Sequence, residues 1–148
     1  PNIVFADCNE EKALEWVLRS IVQNAGQTCS AGSRLVIEKS IKETFVPKLA
    51  AAMEKLTIGP GIDNHDLGPV LSKKQFERIQ SFIDTAKADG IHIVTGGERA
   101  FVENCEYGYL GKSENEKPSL MYILRTFRLI ENACHKIFRE VISRMKTG

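Results

Sequence analysis

Apolar positions along this chain alternate between short runs and longer stretches at helical spacing. Ile3-Val4-Phe5 reads as a strand. Leu14, Val17, Leu18, Ile21 and Val22 then follow a helical period. Asp7 with Glu10 forms a candidate capping box for that helix, Asn9 is a second candidate cap, and the helix is predicted to run to about Gln23 or Asn24. Arg34 to Glu38 reads as the next strand. Ser40 with Glu43 resembles another capping box, opening a helix that carries Ile41, Phe45, Leu49 and Met53, with Pro47 as a kink or early-turn residue. Gly59-Pro60-Gly61 breaks the pattern into a polar loop. Ser72 starts a third helix with Phe76, Ile79, Ile83 and Ala86 on one face, closed by Gly90. Ile91-His92-Ile93-Val94 reads as a strand turned by Gly96-Gly97. The alternation predicts an α/β fold, a twisted and mostly parallel sheet flanked by helices.

From about Tyr107 the pattern changes. Gly111 to Lys117 is polar and loop-like. Leu120, Ile123, Leu124, Phe127, Ile130, Ile137, Phe138, Val141 and Met145 then make a long helical stripe. The opposite face is basic, with Arg125, Arg128, Lys136, Arg139, Arg144 and Lys146 against Glu131 and Glu140, a net of +4. Such a face is either solvated or a docking surface for an acidic partner.

Composition narrows the function classes. The 148 residues, 43% hydrophobic and 26% charged, allow one globular domain with a core. A net charge of +1 gives no global field toward nucleic acid or membrane, and no apolar run is long enough to span a bilayer. The four cysteines, Cys8, Cys29, Cys105 and Cys134, are widely spaced, without a CxxC pair or a neighbouring His cluster. Neither a zinc site nor any other metal site is expected, nor a disulfide framework. A cytoplasmic or other reducing intracellular setting suits free thiols. The chain opens at Pro1 directly before a strand, which reads as part of a longer polypeptide.

Candidate chemistry concentrates in Asn24-Ala25-Gly26-Gln27-Thr28-Cys29-Ser30-Ala31-Gly32-Ser33-Arg34. One cysteine stands among small and polar residues, with glycines three positions before and three after. Little bulk shields the sulfur there, and the backbone is free to approach whatever it attacks. Such a setting suits a nucleophilic thiolate, and equally an unreactive loop cysteine. His65, His92 and His135 are scattered. Gly59-Pro60-Gly61 lacks the GK[ST] ending of a phosphate loop.

Val22 to Ser33 resembles the active-site cysteine signature of the aldehyde dehydrogenases, in which Gly-Gln, a variable residue, Cys and small residues follow an apolar helix. Here these are Gly26, Gln27, Thr28, Cys29, Ser30 and Ala31. Pro1 to Phe5 is similar to the strand after that family's Gly-Gly-Lys-Ser-Pro segment. Thr57-Ile58-Gly59-Pro60 through Leu67-Gly68-Pro69-Val70-Leu71-Ser72 is similar to a downstream family loop. The resemblance is dense over residues 1–97 and weak over an altered segment, 98–148.

It implies that Cys29 is the nucleophile toward an aldehyde, that its backbone N–H helps hold the oxyanion, and that Thr28 and Ser30 line the substrate pocket. The oxidant would be NAD or NADP, its binding domain, the general-base glutamate and the oxyanion asparagine all lying outside these residues. His135-Lys136-Ile137-Phe138-Arg139-Glu140-Val141 stands where the family carries Glu-Glu-Ile-Phe-Gly-Pro-Val. Phe138 would sit near the cofactor, and Lys136 replaces a glutamate that accepts from ribose hydroxyls, which an ammonium cannot do. The expected partner is a small-molecule aldehyde, not nucleic acid or membrane, with homo-oligomers expected for the full-length protein. The isolated chain is expected to be inactive as a dehydrogenase. Two other classes remain open: a cofactor-free thiol acyl-transfer or esterase enzyme, and an interaction module using the basic C-terminal helix.

Overall fold

The computed structural model describes residues 1–100 and 102. Strand β1 (Asn2–Val4) leads into helix α1 (Glu10–Val22), and strand β2 (Leu35–Ile37) returns beside β1. The two strands pair in parallel, Asn2 opposite Leu35, Ile3 opposite Val36 and Val4 opposite Ile37. A parallel pair needs a crossover, and α1 supplies it. Helices α2 (Lys42–Met53) and α3 (Lys73–Ala88) follow. The α/β reading of the pattern is therefore met, with a sheet of two strands among the described residues.

The helical periods fall where the core lies. Val17 and Ile21 of α1, Phe45, Leu49 and Met53 of α2, and Val4 and Leu35 of the strands close into one cluster, in which Phe45 and Ile21 are almost wholly buried. Trp16, on the opposite face of α1, is exposed. Lys48 and Glu10 join α2 to the start of α1 at 2.8 Å, an exposed pair of small energetic weight. A second cluster joins Ile79 and Ile83 of α3 to Val70 of the preceding loop.

Capping settles two open points. Asn9, not Asp7, caps α1, its Oδ1 accepting from the Lys12 N–H at 3.0 Å. Ser40 does not cap α2. It lies in a 3₁₀ turn, Lys39–Ile41, and its hydroxyl donates to Glu38 Oε1, while α2 starts without a side-chain cap. Ser72 does cap α3, accepting from the Gln75 N–H, and Gly90 closes it at φ +68°. Pro47 sits inside α2.

The strand expected at Ile91 to Val94 is not formed. Strand propensity becomes a strand only with a ladder partner, and the described sheet offers none at that point. Gly96 and Gly97 adopt positive φ, 87° and 89°, with bends beside them at Val94, Thr95 and Glu98. The stripe from Leu120 to Met145, with its basic face, lies outside the described residues, as do Lys136 and Phe138.

Candidate active site

The Cys29 loop begins where α1 ends. Val22 closes the helix, and a 3₁₀ turn, Gln23–Gly26, reverses the chain. Asn24, Ala25 and Gly26 all adopt left-handed backbone, at φ of 52°, 53° and 74°. Gly and Asn tolerate this region, whereas for Ala25 it costs about 1–2 kcal/mol. The strain is held by local bonds. The Gln27 N–H and its Nε2 both donate to the Asn24 carbonyl, at 3.0 and 3.2 Å, and Asn24 Nδ2 donates to the Gln27 carbonyl at 3.2 Å.

Cys29 follows at the corner of a β-turn, closed by the Ala31 N–H donating to the Thr28 carbonyl at 3.0 Å. Its thiol is free and exposed. Ser30 is also exposed and Thr28 half-buried, so the three predicted pocket residues share one turn. Cys8 is free as well, but half-buried against the first core cluster.

The exit of the loop is pinned by residues the sequence did not single out. The Gly32 N–H donates to the Ser20 carbonyl of α1 at 2.9 Å. Asn2 Nδ2 donates to Ser20 Oγ at 2.8 Å and to the Gly32 carbonyl at 3.2 Å, and Ser20 Oγ donates to the Val17 carbonyl at 2.8 Å. A Cβ on Gly32 would fall against Ser20 Oγ and 2.5 Å from Asn2 Nδ2. Gly32 is therefore required for close approach, whereas Gly26 adopts left-handed backbone.

The loop from Thr57 to Ser72 flanks the site. Its base is a clasp: the Thr57 N–H and hydroxyl donate to Asp66 Oδ2 at 2.8 and 2.7 Å, and the Asp66 N–H donates to Thr57 Oγ1 at 3.0 Å. The bond from the Thr57 N–H, with that from its hydroxyl, holds the Asp66 carboxyl below its usual value. A parallel bridge between Ile58 and Leu67 continues the clasp. Beyond it, Gln27 reaches across from the cysteine loop: Nε2 donates to the Pro69 carbonyl at 3.3 Å, and Oε1 accepts from the Leu71 N–H at 2.7 Å. Two of the three segments that carry the family resemblance, Val22 to Ser33 and Thr57 to Ser72, are thus joined by one side chain. The sequence signal for Gln27 was its place in the motif; its partners, 42 and 44 residues away, left no local trace.

Fold and site define an α/β protein that presents an accessible thiol from the loop linking a helix to a parallel strand. The family model described as "Aldehyde dehydrogenase family" matches residues 1–112. The chain belongs to the aldehyde dehydrogenase family. It is 43% identical over 110 residues to a chloroplastic aminoaldehyde dehydrogenase of Arabidopsis thaliana and 40% identical over 110 residues to a chloroplastic betaine aldehyde dehydrogenase of Atriplex hortensis. Each match covers 74% of this chain and 22% of the relative, so the chain spans about a fifth of the length of those relatives. Among solved structures, it is similar to a betaine aldehyde dehydrogenase from Staphylococcus aureus in complex with NAD+ (TM-score 0.70, 38% identity, 74% of this chain and 22% of that one). An NAD+ complex of an aldehyde dehydrogenase from Bacillus cereus gives TM-score 0.68 and 37% identity, with the same coverage.

Proposed function

We propose that this chain is the cysteine-bearing portion of an NAD(P)+-dependent aldehyde dehydrogenase and that Cys29 is its nucleophile. The observation that carries the reading is the exposed Cys29 thiol on a turn bounded by bonded anchors, inside the stretch where the chain matches the family.

The Cys29 thiolate attacks the aldehyde carbon. A C–S bond forms and the carbonyl π pair moves to oxygen, where the Cys29 backbone N–H stabilises the negative charge. When bound, the nicotinamide supplies the acceptor for the hydride that leaves the resulting thiohemiacetal. Water then cleaves the Cys29 thioester, releasing the carboxylic acid and restoring the thiol. Thr28 and Ser30 flank the incoming aldehyde. The cofactor is proposed from the family and from solved members that hold NAD+. Lys136 and Phe138, the residues that the resemblance sets beside it, lie outside the described residues.

The chain alone is proposed to lack dehydrogenase activity, since it spans 22% of its relatives. Mixed with an activated ester such as 4-nitrophenyl acetate, it should release one equivalent of nitrophenolate and carry one acetyl group on Cys29, by mass spectrometry. The Cys29→Ser chain should carry none at residue 29. Acetylation spread evenly over the four cysteines would overturn the nucleophile assignment. Sustained turnover lost in Cys29→Ser would instead favour the cofactor-free thiol enzyme.

A further inference from the structure

We infer that Gln27 is a positioning residue for Cys29, clamping the cysteine loop to the Pro69–Leu71 segment. The inference rests on the reading of Cys29 as nucleophile and adds the device that holds it. A residue in a strand offers its neighbours the carbonyl before it and the N–H after it. The Gln27 amide takes both from the residues flanking Val70: it donates to the Pro69 carbonyl and accepts from the Leu71 N–H. One side chain thus acts as a one-residue strand partner. A primary amide can do this because it carries a donor and an acceptor side by side.

Each end of the clamp is anchored. Val70, between the two bonds, is buried with Ile79 and Ile83 of α3. The segment before it is held by the Thr57–Asp66 clasp. On the other side, Gln27 is tied to Asn24 by its backbone N–H and Nε2. Cys29 is two residues along the chain, at the corner of the turn that opens at Thr28. Without the clamp, the turn would keep the bond from the Gln27 backbone N–H to the Asn24 carbonyl and that from Asn24 Nδ2 to the Gln27 carbonyl, and lose its reference to α3. The sulfur would then sample more directions, and a nucleophile loses rate when its geometry spreads.

Two substitutions separate positioning from bulk. Gln27→Met preserves length and removes both clamp bonds, together with the local Nε2 bond to the Asn24 carbonyl. Gln27→Glu keeps the acceptor for Leu71, but its carboxylate faces the Pro69 carbonyl at neutral pH. Once protonated, below a carboxyl value of about 4.3, it again has a donor and an acceptor. The readout is the rate of 2,2′-dithiodipyridine with Cys29 relative to Cys8 in the same chain, from pH 4 to 8, with a thermal melt for each variant. Expected is a fall in that ratio of at least about threefold for Gln27→Met, the scale of one lost hydrogen bond, with little change in melting. Gln27→Glu should match Gln27→Met at pH 7 and recover most of the unsubstituted ratio at pH 4, where about two-thirds of the carboxyl is protonated. That recovery decides the matter even if Gln27→Met folds poorly. An unchanged ratio in Gln27→Met, or no recovery of Gln27→Glu at pH 4, would overturn the clamp. The nucleophile reading is judged on the unsubstituted chain and the clamp on differences between chains, so each fails separately.

Discussion

Replacing Gly32 by alanine should destabilise the chain by about 2–3 kcal/mol. The new methyl would fall against Ser20 Oγ, 2.5 Å from Asn2 Nδ2 and 2.9 Å from Ser20 Cβ. Neither neighbour is the loose end of a long side chain. Ser20 Oγ is held by the Val17 carbonyl and by Asn2 Nδ2, and Asn2 Nδ2 also holds the Gly32 carbonyl. Relieving the clash means turning Ser20 and Asn2 away, which breaks those three bonds. At about 1 kcal/mol net for each bond, with some return from water because the group is only partly buried, the loss comes to about 2–3 kcal/mol. Urea unfolding reads this as a midpoint lowered by about 1–1.5 M, for a slope of about 2 kcal/mol per M. Gly61→Ala is the control, because a Cβ there meets nothing within 4 Å and its effect should stay within about 0.5 kcal/mol. A Gly32→Ala chain as stable as Gly61→Ala would refute the claim that close approach at Gly32 pins the loop exit.

Two further predictions concern the core and the clasp. Phe45→Ala should cost about 3–5 kcal/mol in the same assay, since Phe45 has no exposed surface and lies where α2 meets the first cluster; a loss under about 1 kcal/mol would contradict that placement. The lowered Asp66 carboxyl stabilises the fold above its unfolded value, near 3.8, and that contribution is lost as pH falls through the folded value. Asp66→Asn should therefore be less stable than the unsubstituted chain at pH 7, and the gap should narrow below pH 3.8; a gap that does not change with pH would sink the assignment.

What could be read in the sequence is what depends on neighbours a few residues away. The helical stripes of α1, α2 and α3 and the left-handed turn at Gly90 follow from local spacing, and the structure carries them. The cysteine segment was legible because many small and polar residues fall in one window. Pairings across the fold were not. Ile91 to Val94 has strand-like composition, but a strand needs a partner that its own residues do not encode. Ser40 had the right type for a cap, yet Glu38 took its hydroxyl. Gln27, Asn2 and Ser20 look like ordinary polar residues until the fold brings β1, α1 and the Pro69 segment to one loop. Gly32 showed only that glycine was present, and its reason lies in a side chain twelve residues earlier.

The most direct test of the account is the alkylation rate of Cys29 by iodoacetamide at pH 7, mapped by peptide against Cys8, Cys105 and Cys134, in buffer and in urea. An assembled nucleophile site predicts that Cys29 reacts at least about tenfold faster than the other three in buffer and that the preference vanishes in urea, since thiol reactivity is set by surroundings that unfolding removes. Equal labelling of all four cysteines in buffer would contradict the claim that this fold presents Cys29 as its reactive group.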